Sequence, residues 1–309
     1  MKKTNLSALT LLALGMAGFG NQAIANETAN YRIYGMLNVG VQHSDYVDGA
    51  LTEVESYASR FGLDGSYRLN SGVELVYQLE WQVDVTDLGG SGNLNSRNQF
   101  IGLQGDFGRI LAGRLETSTK FTQGGYDIFG DLPGDISSVL AGKSDLGNAV
   151  GYSSASFNGL QAHATYVFSE SHGESDGQSA ALTYASDMGW SIATSFDRDI
   201  DNFDIDRVVA YGSIGAARVG VLFQQQKNLL TGEKADGFSV NAGYRVGDWF
   251  FKTQYQTLDL EAGKDSRWSV GADYILSEKT KLFIWFTDSD NKSTDISESF
   301  AGIGLSHSF

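Results

Sequence analysis

The sequence predicts an all-β fold, a sixteen-stranded antiparallel transmembrane β-barrel, and two observations predict it. Hydrophobic residues recur with a period of two over long segments, which is the period of a strand with one apolar face. Aromatic residues make up 12% of the chain, yet no apolar run after Phe19 approaches the roughly 20 residues of a helical span. Only one face of each strand in a transmembrane barrel meets lipid, so such a protein can be rich in aromatic residues without any long apolar run.

The N-terminus has the layout of a secretory signal peptide. Lys2 and Lys3 precede an apolar segment at residues 6–19, and Ala23-Ile24-Ala25 then supplies an A-x-A cleavage site. The alternative is a membrane anchor, but this segment is too short and is interrupted by glycines. We therefore expect residues 1–25 to be a cleaved signal and residues 26–309 to form one exported barrel domain.

The alternation is clearest between Val73 and Asp84. One set of alternate positions is entirely apolar and the other is mainly polar or charged. The apolar set is Val73, Leu75, Tyr77, Leu79, Trp81 and Val83, and the opposite set includes Glu74, Gln78, Glu80, Gln82 and Asp84. An ordinary strand has about 5–6 residues, whereas a tilted strand that crosses a bilayer needs about 9–11. The length of this segment therefore favours a membrane-crossing strand.

Short turns rich in Gly, Asn and Asp alternate with longer polar stretches along the chain. The long loops are predicted at residues 43–53, 84–96, 117–147, 169–178, 197–205, 226–236, 258–266 and 288–298. Short turns on one side of the membrane, long loops on the other and an even strand number are typical of bacterial outer-membrane barrels. The number of connections predicts sixteen strands.

Composition excludes several classes of protein. The chain has no cysteine, so disulfides cannot stabilise it. Acidic residues number 37 against 22 basic ones, which argues against a nucleic-acid partner. The four histidines show no metal-ligand spacing, no nucleophile and base stand out as a pair, and there is no G-x-S-x-G motif. We therefore expect no catalytic residues, no metal and no cofactor.

The longest predicted loop carries the most information about function. It runs from about residue 117 to about residue 148, and loops of this length are usually functional or disordered. A solvated acidic loop is one interpretation. Its apolar residues favour a packed segment, since each needs a surface to bury against; they are Phe121, Ile128, Phe129, Leu132, Val139 and Leu140.

Several segments resemble the trimeric general porins of Gram-negative outer membranes. They are residues 59–65 (SRFGLDG), 97–103 (RNQFIGL), 105–108 (GDFG), 113–114 (GR), 152–159 (YSSASFNG) and the terminal Phe309. Each is weak alone, but their order is fairly specific, and the resemblance extends over essentially the whole exported chain.

The resemblance implies that the third loop folds into the lumen and narrows it, with loop acids facing wall arginines. The matching wall residues are Arg60, Arg97 and Arg114, and the loop acids are Asp131, Asp135 and, less closely, Asp127. Acids that face bases across a pore create a transverse field, and charged side chains that line a pore set its ion selectivity. For Arg60 the simpler interpretation is a solvated lumen residue that balances Asp64.

The resemblance also implies partners and an assembly route. We expect a homotrimer in contact with outer-membrane lipid and lipopolysaccharide, with Phe309 as the assembly signal for the barrel insertion machinery. The predicted function is passive diffusion of ions and small hydrophilic solutes, with weak cation selectivity.

Three alternatives stay open. A substrate-specific channel for sugars or an anion would line its path with aromatic residues, and Tyr34, Phe250, Phe283 and Trp285 could point inward. An enzyme is the second alternative, because fold alone never settles function. The third is a purely structural or adhesive barrel.

Overall fold

The computed structural model describes residues 29–69, 72–86, 92–170 and 175–309. The predicted signal, residues 1–25, lies outside the described residues. Within the described part, the chain forms one 17-stranded antiparallel sheet in which neighbours in sequence pair with each other. The strands are β1 (Ala29–Tyr46), β2 (Gly49–Ser56), β3 (Arg60–Arg68), β4 (Glu74–Val83), β5 (Leu94–Gly105), β6 (Gly108–Glu116), β7 (Asp145–Ser153), β8 (Leu160–Val167), β9 (Gly177–Ala185), β10 (Trp190–Ile200), β11 (Phe203–Ile214), β12 (Ala217–Asn228), β13 (Lys234–Val246), β14 (Trp249–Leu260), β15 (Gly263–Ser277), β16 (Thr280–Asn291) and β17 (Ile296–Ser308).

The strand segments make sixteen barrel strands, because β2 and β3 are two parts of one. Both pair with the same side of β1, β2 with its second half and β3 with its first half. The interruption lies at residues 57–59, where Ala58 has a φ of 50°. Asn38 on β1 spans it, since its side-chain amide donates to the carbonyl of Tyr57 at 3.0 Å and its backbone N–H donates to Ser59 Oγ at 3.0 Å. The predicted sixteen-stranded barrel is confirmed.

The first and last strands close the ring. β1 pairs with β17 in a continuous register from Met36 opposite Ser308 to Asp45 opposite Ser299. The terminal residue extends this seam, because the backbone N–H of Phe309 donates to the carbonyl of Gly35 at 3.0 Å and the return bond measures 3.2 Å. The Phe309 ring lies so close to Gly35 that an added Cβ would be 2.3 Å from the ring carbon Cζ. Only glycine fits under this ring.

Side chains alternate between an exposed apolar face and a buried polar face. On β13 the side chains of Phe238 and Val240 are 40% and 41% exposed, whereas those of Ser239 and Asn241 are 0% and 3% exposed. In a closed ring the buried face is the inner one. This face is mostly polar, and the apolar exposed side chains form the outer surface that lipid covers. No helix in the described ranges is long and apolar enough to cross a membrane.

Several predicted long loops are instead paired strand. The segments predicted as loops at 43–53, 197–205 and 258–266 contain the ends of strands joined by tight turns. β2 explains the error, because its first four residues, 49–52, are all exposed and the rest of the strand is exposed or half-buried. A strand that extends above the membrane meets water on both faces, so its apolar alternation disappears while its backbone pairing persists. Polarity therefore marked where the membrane ends, not where the strand ends.

We expect deletion of Phe309 to lower insertion of the barrel far more than it lowers the stability of barrels already folded. The deletion removes one pair of seam hydrogen bonds and the ring over Gly35, whereas the strand register from residue 36 onward stays intact. Outer-membrane levels measure insertion, and the temperature at which purified protein shifts to its unfolded gel position measures stability. Phe309→Tyr, which keeps a terminal ring, is the control. Normal outer-membrane levels after the deletion would contradict the prediction.

Candidate pore constriction

The connection between β6 and β7, residues 117–144, is a structured segment that we call the inner segment. It contains helix α1 (Ser118–Gln123) and a 3₁₀ turn (Ile136–Ser138). Thr117 caps α1 by accepting a hydrogen bond from the N–H of Lys120 at 3.2 Å, and Asp135 caps the 3₁₀ turn by accepting from the N–H of Ser137 at 2.8 Å. Each cap satisfies a backbone donor that the turn leaves free. This loop is therefore locally ordered by its own sequence.

Inner-face side chains of distant strands hold this segment by its backbone carbonyls. The donors are mostly amides and cations from β11–β15. The hydrogen bonds run from side chain to carbonyl as follows: Arg207 to Ala141 at 2.7 Å, Asn241 to Tyr126 at 2.7 Å, Lys252 to Ile128 at 3.0 Å, Gln254 and Gln256 to Gly134 at 3.0 and 3.1 Å, and Arg267 to Pro133 at 2.6 Å. A buried carbonyl without a donor would cost about 1–3 kcal/mol. These bonds therefore fix the segment against the wall.

Two apolar clusters reinforce the same contact. In the first, Tyr126, Ile136 and Leu140 of the inner segment pack on wall residues that include Val209 and Leu222. In the second, Phe129 and Leu132 pack on Tyr57, Phe283, Trp285 and Phe300. The expectation that the apolar residues of this loop need a packing surface is met by Phe129, Leu132 and Leu140, which are at most 8% exposed.

A short chain of charges lies at one edge of the inner segment. Asp131 accepts from Arg60 Nη1 at 3.4 Å and from Lys143 Nζ at 3.2 Å. Lys143 also contacts Asp135 at 2.5 Å. Arg60 belongs to β3, on the side of the barrel away from β11–β15. This pair is therefore where the inner segment meets the opposite wall.

Arg97 lies on the same side but has a different partner from the one predicted. Its Nε donates to Glu80 at 2.7 Å and its Nη1 donates to Gln82 at 3.3 Å. Glu80 also accepts from the Tyr34 hydroxyl at 2.9 Å. Arg97 therefore pairs with a wall acid of β4 and not with an acid of the inner segment.

The prediction that Arg114 lines the constriction does not fit the strand register. Arg114 pairs with Gln99, and Gln99 pairs in turn with Leu79, whose side chain is 40% exposed on the apolar face. Directly opposed residues of neighbouring strands share a face. Arg114 therefore belongs to the outer face, while its neighbour Leu115 is buried on the inner one. The GR motif that suggested a wall arginine carries no information about which face the arginine occupies.

Asp135 is buried and Asp127 is half-buried, and hydrogen bonds within the inner segment engage both carboxylates, so they are not free constriction charges. Asp127 accepts from the N–H groups of Phe129 and Ile136 at 3.0 and 2.9 Å, and from Gln254 at 3.2 Å. Burial raises its pKa to about 7, and the nearby Asp135 carboxylate acts in the same direction. Burial alone would also raise the pKa of Asp135, but Lys143 and the surrounding donors outweigh it and hold this pKa below its ordinary value. Of the three loop acids, Asp131 is the one that reaches a wall arginine.

Sequence reasoning missed the residues that hold the inner segment, above all Arg207, Gln254 and Gln256. One signal was present: Gln254 and Gln256 alternate on one strand, and Gln224 and Gln226 alternate on another. Amides at a period of two supply donors along the inner face of a strand. Among the described residues, no group of three or more His, Asp or Glu side chains is arranged to hold a metal ion. The expected lack of catalytic residues, cofactor and metal stays a prediction.

Comparisons with known proteins identify what the chain is similar to. A family model described as Gram-negative porin matches residues 8–294. The major outer membrane protein P.IB of Neisseria meningitidis serogroup B is 26% identical over 99% of this chain and 100% of that protein. Among solved structures, an anion-selective porin from Comamonas acidovorans matches with a TM-score of 0.75 and 20% identity over 91% of this chain and all of that one. The trimer form of OmpT, an outer membrane protein of Vibrio cholerae, matches with a TM-score of 0.69 and 18% identity over 92% of this chain and all of that one.

We expect the docking of the inner segment to weaken as pH rises. The pKa of Asp127 is raised from 3.8 to about 7 when the segment is docked, so docking favours the protonated carboxyl. The contribution of Asp127 to docking is fully present below about pH 4 and is lost as pH rises through about 7. The measurement is the hydrogen-exchange rate of the segment at about pH 5 and about pH 8 in wild type and in Asp127→Asn. Dividing the wild-type rate by the variant rate removes the intrinsic effect of pH on exchange. The ratio should rise several-fold at the higher pH, and a constant ratio would contradict the prediction.

Proposed function

This chain belongs to the Gram-negative porin family of the outer membrane, and from that premise we propose that it is a general diffusion channel for ions and small hydrophilic solutes. We further propose that residues 26–309 form the exported channel after removal of residues 1–25. The observation that carries the proposal is the position of the inner segment: it is hydrogen-bonded to inner-face side chains of β11–β15 and so narrows the lumen from one side.

The proposed open path lies between the inner segment and the wall formed by β3, β4 and β5. On that side Arg60 and the Arg97–Glu80 pair line the wall, and Arg60 contacts Asp131 at 3.4 Å at the edge of the proposed path. Positive and negative charges therefore face each other across a short distance, which orients water and polar solutes and disfavours apolar ones.

The aromatic residues of the inner face favour a general channel over a substrate-specific one. An aromatic path for sugars needs accessible ring faces. Phe283 and Trp285 are 3% and 2% exposed because the inner segment covers them with Phe129 and Leu132. The Arg32 guanidinium lies over the Tyr34 ring, with its carbon 5.1 Å from the ring centre. Phe283 and Trp285 serve as an anchor for the inner segment, so we rank the substrate-specific channel second.

Weak cation selectivity follows from where the excess of acid lies. Near the constriction, Arg60, Arg97 and Lys143 balance Asp131, Asp135 and Glu80. The net charge of −15 therefore resides elsewhere. Much of it lies at the hairpin ends far from the short turns, including Asp199, Asp201, Asp204, Asp206, Asp288, Asp290 and Asp295. Acids at a pore mouth raise the local cation concentration, and salt screens this effect beyond about 8 Å at physiological ionic strength.

We propose a homotrimer embedded among outer-membrane lipids and lipopolysaccharide and assembled by the barrel insertion machinery. The outer face supplies a reason for association. An arginine on the lipid-facing surface costs about 2–4 kcal/mol at the bilayer midplane. In the single chain the Nε of Arg114 is shielded from water and has no hydrogen-bond partner. A neighbouring subunit against the face of β5 and β6 would remove this group from lipid and offer it acceptors.

We expect unheated gel migration and cross-linking to show a trimer that Arg114→Glu weakens. The substitution reverses the charge at the proposed subunit contact. Arg245→Glu makes the same change at an exposed position near the short turn after β13 and is the matched control. A wild type that runs as a monomer in both assays would refute the trimer, and equal effects of the two variants would refute this face as the contact.

We expect the zero-current potential across a KCl gradient to have a cation-selective sign that shrinks as salt rises. Asp131→Asn removes the loop acid that faces Arg60 and should shift the potential toward anions, whereas Arg97→Ala should shift it the other way. Neutralising Asp135 as well should add to the anion shift, although it also removes a cap of the inner segment. An anion-selective sign at low salt in the wild type would contradict this prediction. The absence of any conductance would contradict the proposed function itself.

A further inference from the structure

A cavity of about 590 Å³ lies between the inner segment and the inner face of β4–β8. The strand residues that line it run from the short turn at residues 105–108 to Leu115 and Glu116 at the far end of β6, and Arg109 lies at the short-turn end. One wall is helix α1, which contributes Lys120, Phe121 and Gln123. The opposite wall is the barrel itself. This cavity is separate from the charged pairs of Asp131 and Arg97, which do not line it.

Arg109 is an uncompensated cation in this cavity. It pairs across strands with Gln104 and Ser153, which also line the cavity and carry no charge. Among the described residues, no acidic side chain forms an ion pair with Arg109, and its Nε is buried without a hydrogen-bond partner. A guanidinium that is largely removed from water and lacks a counter-charge favours an anion, and its planar fork binds a carboxylate with two parallel hydrogen bonds.

The other cation of the cavity, Lys120, is already paired with carboxylates. Lys120 is 9% exposed in its side chain and contacts Asp145 at 2.6 Å and Glu116 at 3.4 Å. Its charge is therefore already matched by carboxylates of the chain. Arg109 is left as the group that an incoming anion would meet.

Apolar and aromatic groups surround the Arg109 site. The guanidinium carbon lies 5.1 Å from the centre of the Phe100 ring. The rings of Phe121 and His163, which also line the cavity, pack on each other with their centres 4.2 Å apart, and Leu111 and Leu115 complete the apolar lining. The ring nitrogens of His163 are within hydrogen-bond distance of Ser153 and Thr183, so the wall holds this ring in place. The combination selects a ligand with an apolar ring and one negative end.

We propose that this cavity binds small aromatic carboxylates, with the carboxylate on Arg109 and the ring between Phe100 and Phe121. Binding makes the site a subsite of the proposed channel, where a solute pauses after it has passed the constriction. The inference rests on the proposed function in one respect: it takes the inner face of the barrel to be open to water, so that a solute can reach the cavity. A general diffusion channel does not require such a site, so the inference adds a solute class for which permeation is saturable.

The test is isothermal titration calorimetry of the detergent-solubilised protein with 2-naphthoate. The wild type should bind it at one site per chain, while 2-naphthylmethanol, which has the same ring without the charge, and acetate, which has the charge without the ring, should bind at least tenfold more weakly. Arg109→Gln should weaken 2-naphthoate at least tenfold. Arg245→Gln removes an exposed cation that does not line the cavity and should leave binding unchanged. Phe100→Leu, which keeps an apolar wall on the barrel, should weaken it several-fold, and unheated gel migration verifies that each variant is folded.

Current blocks in planar bilayers give an independent readout. 2-Naphthoate added on the short-turn side should interrupt the wild-type current, and Arg109→Gln should lose these interruptions. Absence of binding to the wild type, equal affinity in Arg109→Gln, or equal affinity for 2-naphthylmethanol would each overturn the inference. Binding without ion conductance would instead leave the inference standing and refute the proposed channel.

Discussion

The structure depends on one constraint: every backbone N–H and C=O within the hydrocarbon layer needs a partner inside the protein. The chain meets it by pairing each barrel strand with both neighbours and closing β1 on β17. Because closure satisfies the backbone without side chains, the side chains divide freely between the two faces. The outer face can be apolar for lipid, and the inner face can hold amides, hydroxyls and charges that would be intolerable in a protein with a dry core.

The same constraint applies again to the inner segment. A chain segment placed inside the ring has its own carbonyls to satisfy, and few of them can be paired within so short a helix and 3₁₀ turn. The wall supplies the missing donors, and this explains why Arg207, Lys252 and Gln254 each donate to a main-chain oxygen of the segment. Cations committed in this way are unavailable to line a pore. Charges free of the anchoring task include Arg60 on β3, Arg97 on β5 and Asp131 at the edge of the segment.

The sequence predicted the barrel well because the lipid boundary leaves a strong mark on it. Alternation such as that of Val73–Asp84 follows from one face meeting hydrocarbon, and it identified the strands and their number. It did not identify where strands end above the membrane, since β2 lacks the alternation of an apolar and a polar face and yet is fully paired. For the site, the pairing of Arg60 with Asp131 follows the predicted pattern. Asp127 and Arg114 do not follow this pattern, because a motif gives only the residue type. The environment of Asp127 depends on how the loop folds back. The face that Arg114 occupies depends on the strand register around the bulge between β6 and β7.

The seam between β1 and β17 links the architecture to the order in which the chain is made. A polypeptide emerges with its N-terminus first, so one edge of β1 stays without its partner until β17 has been made. A chain that stalls before β17 can pair many of its hairpins, but it presents two unpaired edges. The wall can therefore become continuous only after the strand that pairs with β1 is available.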